Sequence, residues 1–262
     1  MDRFRVLAKL IVLCAMVAPM AVHVEADVRL PAVIGDNMVL QQGMAVPIWG
    51  WAAPGEDVTV TITGQKLRAT AGDDGRWMVK LEPMKAGGPL ELTVAGKNAI
   101  AVKNVLVGEV WYCAGQSNME MTVKQSQDGD KEAAAAQHPE IRHFTLKKVA
   151  SAEPVQDVDG AWAVCGPDTA GAFSAAAYFF ARDVQAAMKV PVGVMNSSWG
   201  GSQAEAWMSD ETLKAIPEAK PILDNWAKAM ADWPKRKADY EKAHKKWEED
   251  MATATAEGKP LG

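Results

Sequence analysis

Val110-Trp111-Tyr112-Cys113-Ala114-Gly115-Gln116-Ser117-Asn118-Met119-Glu120 is the stretch that decides how this chain folds. Its first five residues form an apolar run with the length and composition of a buried strand. Gly115-Gln116 then turns the chain, and Glu120-Met121-Thr122-Val123-Lys124 can open a helix. A serine on a tight strand-to-helix turn is where many hydrolases hold a nucleophile. Backbone N–H groups at the helix start can also stabilise an oxyanion. A plainer reading competes. Ser117-Asn118-Met119-Glu120 has capping-box spacing, in which the serine caps the helix and the glutamate bonds back. Met119 stands where the usual Gly-x-Ser-x-Gly elbow has its last glycine, so an ordinary α/β-hydrolase is not expected.

Working outward, Ile141–Leu146 reads as a second strand and Ser174–Met188 as a helix. The helix places Phe173, Ala177, Phe180, Ala181, Val184 and Met188 on one face. Pro191 follows it as a stop signal, and Val192-Gly193-Val194-Met195-Asn196 is a further buried strand. Strand, helix and strand in a compact span predict a parallel sheet with right-handed crossovers. Ligands bind such sheets at the carboxyl ends of the strands. Ser117 and the loop Ser197-Ser198-Trp199-Gly200-Gly201-Ser202 both lie just after strands. Consecutive glycines let the backbone approach a ligand and offer N–H donors, although a lone glycine pair is also a common turn.

Residues 27–105 read differently, as all-β. Strands are expected at Val46–Trp51, Val58–Ile62, Trp77–Leu81, Leu90–Val94 and Ile100–Val105, separated by turn signals such as Asp73-Asp74-Gly75. Their number and spacing suggest a small sandwich. Trp49, Trp51 and Trp77 are assigned to packing rather than sugar stacking. Near the other end, Asp224–Met251 is helical, with Trp226, Trp233, Tyr240 and Trp247 every seventh residue. That stripe is expected to be a packing face, and Pro234 to kink or divide the helix.

The ends and the composition set the compartment and the partners. Arg3, Arg5 and Lys9 precede an apolar run from Leu10 to Val22, and Val24-Glu25-Ala26 suits signal peptidase, so 1–26 reads as an export signal. The run is short for a membrane span, so no stable membrane anchor is expected and the mature chain is periplasmic or secreted. Net charge is −5 over the whole chain, with no basic stripe, which argues against nucleic acid as a partner. Cys113 and Cys165 remain in the mature chain and are expected to be buried free thiols rather than a bridge. No metal-ligand cluster is evident, and no cofactor is implied. The loop-like Glu257-Gly258-Lys259-Pro260-Leu261-Gly262 after a charged helix suggests a C-terminally truncated chain.

At these motifs the chain resembles the sialate O-acetylesterase family, a branch of the SGNH (GDSL-like) hydrolases. The resemblance rests on Leu30 through Gln41, on Val46-Pro47-Ile48-Trp49-Gly50-Trp51-Ala52, on Gly108 through Glu120, and on Pro191 through Ser202 with Glu205 and Trp207. It implies an α/β fold: a three-layer SGNH-type parallel sheet, incomplete here, preceded by a small all-β sandwich. The implied division is 1–26 signal peptide, 27–105 sandwich, and 106–262 the N-terminal part of the esterase domain. It also implies Ser117 as nucleophile, and Gly201 with the Ser117 N–H as oxyanion donors. Gln116, Asn118 and Gly200 become substrate-binding candidates, and the partner an O-acetylated sugar or glycan.

The chain also departs from the family. The later Trp-Tyr-Gln-Gly-Glu-x-Asn and Asp-x-x-His blocks are absent, so the base is expected beyond Gly262. After Asp27 the only histidines are His138, His143 and His244. Glu140-Ile141-Arg142-His143 and Glu241-Lys242-Ala243-His244 have acid-x-x-His spacing. The first sits on a predicted strand, and the second reads as an exposed i,i+3 pair. Acetylated xylan is the alternative substrate, and a non-catalytic carbohydrate-binding protein the alternative class.

Overall fold

Ten strands and five helices follow one another in the computed structural model, which describes residues 27–151 and 153–256. The export segment predicted over 1–26 lies outside the described residues. The strands are Val39–Gln41 (β1), Val46–Trp51 (β2), Asp57–Ile62 (β3), Gln65–Thr70 (β4), Arg76–Leu81 (β5), Gly87–Ala95 (β6), Ala99–Gly115 (β7), His138–Thr145 (β8), Trp162–Cys165 (β9) and Val192–Ser198 (β10). The helices are Ser117–Glu120 (α1), Gly129–Ala135 (α2), Ala175–Met188 (α3), Asp210–Lys214 (α4) and Lys220–Ala256 (α5).

The chain forms two compact units. The first holds residues up to Ala114 and Asn118–Ser198; the second holds Gly115–Ser117 and everything from Trp199. In the first unit, β2 and β5 pair as a separate two-stranded sheet, and β3, β4, β6 and β7 extend the larger one. The apolar positions of both sheets alternate inward. Ile48, Trp77, Val79 and Leu81 share one buried cluster with Val58, Val60, Ile62, Leu92 and Val94. This is a small β-sandwich, and Trp77 is part of its core. Trp51 instead carries the Arg29 guanidinium 4.0 Å from its ring centre, and Trp49 packs half-buried against the core.

The larger sheet runs β4-β3-β6-β7-β10-β8-β9, with β1 parallel to β7 through Val39–Leu106 to Gln41–Gly108. β10 and β8 are parallel, with Val192 opposite Ile141 and Asn196 opposite Thr145. α3 covers this part of the sheet. Ser174 caps it by accepting the Ala177 N–H, and Ala177, Tyr178 and Ala181 are buried with Ile141, Val192 and Val194. Each fully buried large apolar side chain contributes roughly 1.5–3 kcal/mol. Together, sandwich and helix-covered sheet make an α/β fold.

Some details differ from the sequence reading. The sheet is mixed, not wholly parallel: β4, β3, β6 and β7 pair antiparallel in turn, and β9 returns antiparallel to β8 without the crossover, usually helical, that a parallel neighbour needs. β4 was not expected, because its residues alternate between half-buried and exposed and give no apolar signal. Pro234 lies inside α5 without dividing it. The stripe Trp226, Trp233, Tyr240 and Trp247 is not a packing face in the second unit: each ring residue is exposed over more than half its surface. Cys113 and Cys165 are free and buried, and burial pushes the Cys165 thiol up to about 11. No helix among the described residues is long and apolar enough to cross a membrane.

Candidate active site

The serine turn and the glycine loop meet within the second unit. β7 ends at Gly115, whose carbonyl accepts the Trp199 N–H at 2.9 Å, tying the turn to the loop. The Gln116 side chain then becomes the focus. Its Oε1 accepts the Ser117 N–H at 3.0 Å, the Ser117 hydroxyl at 2.9 Å and the Gly201 N–H at 3.4 Å. Three donors converge on one oxygen. A carbonyl oxygen can satisfy all three and an NH2 group cannot, so the donors fix which end of the amide faces them. Gly201 reaches this geometry at φ +80°, a backbone conformation open to glycine, and a Cβ there would meet nothing within 4 Å.

The two backbone donors are the Ser117 and Gly201 N–H groups, the pair expected from the family resemblance to line an oxyanion hole. The capping box is not formed. The Ser117 hydroxyl is spent on Gln116, and the Glu120 carboxylate pairs with Lys148. Gln116, Ser117 and Asn118 are exposed and Gly200 is half-buried. Asn118 belongs to the first unit as the second residue of α1. The loop is braced further on: Ser202 donates its hydroxyl to the Trp199 carbonyl at 2.7 Å and accepts the Trp207 indole N–H at 2.8 Å.

Each described histidine is engaged elsewhere. His143, on β8 in the first unit, is 1 % exposed and stacks on Phe173 with ring centres 4.3 Å apart. Its Nδ1 is 3.1 Å from the Thr145 hydroxyl, while its Nε2 has no partner. Glu140 does not pair with it, and accepts instead from Gln185 at 3.0 Å. His244 lies on α5 between Tyr240 and Trp247 and pairs with Glu248 at 3.5 Å, not with Glu241. Glu241 pairs with Lys237 instead. An i,i+4 partner displaced the expected i,i+3 one; both spacings lie on one helix face. His138 sits edge-on to Tyr178, with ring centres 6.1 Å apart. Among the described residues no group of three or more His, Cys, Asp or Glu side chains is placed to hold a metal ion.

Burial pushes the His143 imidazole down to about 4. Its folded value thus lies below the unfolded one of about 6.5. The stability it contributes is complete above pH 6.5 and is lost as the pH falls from there through 4. We expect the urea midpoint to decline over that window, and His143→Gln to flatten the decline. An equal decline in the variant would assign the acid sensitivity to other groups.

The sheet, the serine turn and the glycine loop define an α/β chain of SGNH-hydrolase type. The family model for carbohydrate esterases described as sialic acid-specific acetylesterases matches residues 107–256. Sialate O-acetylesterase of Mus musculus is 37% identical over 227 residues, covering 74% of this chain and 42% of the mouse protein. The Homo sapiens protein of the same name is 36% identical over 208 residues, covering 71% and 40%. The crystal structure of a carbohydrate acetylesterase from Xanthomonas citri superposes with a TM-score of 0.70 at 38% identity, covering 73% of this chain and 45% of that one. The chain belongs to the sialic acid-specific acetylesterase family of carbohydrate esterases, and spans less than half the length of these relatives.

Proposed function

We propose that this chain supplies the nucleophile and oxyanion hole of an exported carbohydrate O-acetylesterase. The convergence of the Ser117 and Gly201 N–H groups on one oxygen supports this reading most directly. Gln116 Oε1 stands in for the carbonyl oxygen of an acetyl ester, and must swing aside for the ester to enter. The Ser117 hydroxyl would then attack the acetyl carbon, and its proton would pass to a base. The negative charge that builds on the carbonyl oxygen would fall between the two N–H groups. Collapse breaks the bond to the sugar oxygen, which takes the proton from the base and leaves as a hydroxyl; the remaining acetyl-serine is cleaved by water to acetate. None of the described contacts of His138, His143 or His244 involves Ser117, so the reading assigns the base to none of them. Gln116, Asn118 and Gly200 would contact the sugar side of the ester.

The family description names sialic acid as the sugar carrying the ester; acetylated xylan is the second reading, favoured by the broader name of the Xanthomonas citri neighbour. Acetate release from O-acetylated N-acetylneuraminic acid and from acetyl-xylan separates the two, measured in a protein that joins this chain to the remaining length its relatives have. Release from at least one is expected. Binding of both glycans with no acetate from either would favour a carbohydrate-binding protein instead.

A further inference from the structure

α5 presents a seam that the described residues leave largely uncovered. The helix runs 37 residues and none of them is buried. At that length it is about 55 Å long. Trp226, Trp233, Tyr240 and Trp247 each remain more than half exposed. Met230, Lys237, His244 and Met251 follow them four positions on. The two sets alternate by four and three residues, as the d and a positions of a coiled coil do. The i,i+4 ion pairs of α5 can support a solvated helix, but they give no reason for four rings along one line.

The seam complements itself when a second copy lies antiparallel along it. With the two-fold axis between Ala238 and Asp239, almost the whole of α5 overlaps. Trp226 then faces Met251 of the second copy, Met230 faces Trp247, Trp233 faces His244 and Lys237 faces Tyr240. Every layer sets a ring against a partner that is not one of the four stripe rings, and thioether–ring and ammonium–ring contacts are favourable. The Lys237 ammonium pairs with Glu241 at 3.7 Å, which lays its stem along the seam. The flanking charges agree with this register. Arg236 faces Ala243, Asp250 faces Ala229, Glu241 faces Pro234 and Glu248 faces Ala227, so no like charges meet. Other pairings do bring like charges together. A parallel pair sets Lys237 against Lys237. Sliding the antiparallel pair by one heptad sets Glu241 against Glu241 in one direction and Arg236 against Arg236 in the other. The eight half-exposed rings of the pair would bury about 600–1,000 Å², at roughly 150–250 Å² per fully buried ring, which is about half of a standard interface.

We propose that α5 is a dimerisation helix whose partner is α5 of a second copy of this chain, packed antiparallel in that register. The proposal goes beyond the esterase reading and does not rest on it, since no residue of the serine turn or the glycine loop takes part.

The test is sedimentation equilibrium of the chain over a range of concentrations at low salt. A reversible dimer is expected. Trp233→Glu should weaken it about tenfold or more, because it drives a carboxylate into two layers of the seam. Trp233 is exposed in the single chain, so its replacement should leave the first unit folded, as near-UV circular dichroism will show. Ala243→Glu reads the register. It would face Arg236 of the second copy and should tighten the dimer about threefold, whereas Ala243→Lys should weaken it about threefold. A parallel pair reverses both signs, because Ala243 would then face Glu248. The pairing that sets Glu241 against itself also sets Ala243 against itself, and weakens with either variant. The proposal is overturned by a monomer at every concentration, by a dimer indifferent to Trp233→Glu, or by either of those other sign patterns. A protein that joins this chain to the remaining length its relatives have should also dimerise. A monomer there, with α5 amides protected from hydrogen exchange, would assign the stripe to another segment of the same chain and overturns the proposal as well. None of these measurements reads acetate, so their outcome is separate from that of the esterase reading.

Discussion

Replacing Ser117 by alanine lowers acetyl-ester turnover by about 10⁴-fold or more, measured in a protein that joins this chain to the remaining length its relatives have. The substitution removes the hydroxyl that would attack the acetyl carbon. It keeps the backbone N–H of residue 117, so the donor pair formed with Gly201 survives. The residual rate should therefore be that of an oxyanion hole without a nucleophile. Stability gives an independent readout. A serine capping a helix costs about 1 kcal/mol when lost. Here the hydroxyl bonds to Gln116 and not to a helix N–H, so the melting temperature should hardly move. Undiminished turnover would remove Ser117 from the mechanism. A clear loss of stability with unchanged turnover would restore the capping role that its spacing from Glu120 first suggested.

Much of this arrangement is legible in the sequence, for reasons that differ by residue. The strands Val46–Trp51 and Asp57–Ile62 announce themselves because alternate side chains go to the core. α3 is legible as a helix but its buried face only in part: Ala177 and Ala181 are buried as their spacing predicts, whereas Phe180 and Met188 are exposed and Tyr178 is buried instead. Ser117 and Gly201 are legible only as types at strand ends; their shared acceptor is not. Nothing in Gly115-Gln116-Ser117 says that the glutamine side chain folds back onto its own turn. That contact depends on Gly201, 85 positions away, arriving at a positive φ. Trp226 shows the opposite failure. Its heptad spacing with Trp233 reads as a packing stripe, since periodicity reports which residues share a face and not what that face meets.

Gly108→Ala should destabilise the chain by about 3 kcal/mol or more, the largest stability effect expected from removing a single glycine's freedom of approach. Gly108 lies on β7 where that strand passes the residue preceding β10. A Cβ built on it would stand 1.9 Å from the Pro191 carbonyl oxygen and 2.6 Å from its carbonyl carbon. These are backbone atoms, so no side-chain rotation relieves the clash. The same carbonyl accepts the Glu109 N–H at 2.9 Å, so pushing the strands apart breaks the bond that joins them. The neighbouring seam has no slack either: a Cβ on Gly193 would come within 2.8 Å of Val39 Cβ. At roughly 2–4 °C per kcal/mol for a chain of this size, the melting temperature should fall by about 10 °C. Gly166→Ala is the control, because a Cβ there meets nothing within 4 Å and its φ is not positive; it should be neutral or slightly stabilising. Scanning calorimetry on the two variants decides the matter, and equal melting would mean that β7 and β10 do not approach as described. The consequence extends beyond stability, because β7 leads directly into Gln116-Ser117 and β10 into Trp199-Gly200-Gly201. A side chain at position 108 disturbs the two strands that deliver the proposed nucleophile and its oxyanion donor, so turnover should fall even at temperatures where the variant is folded.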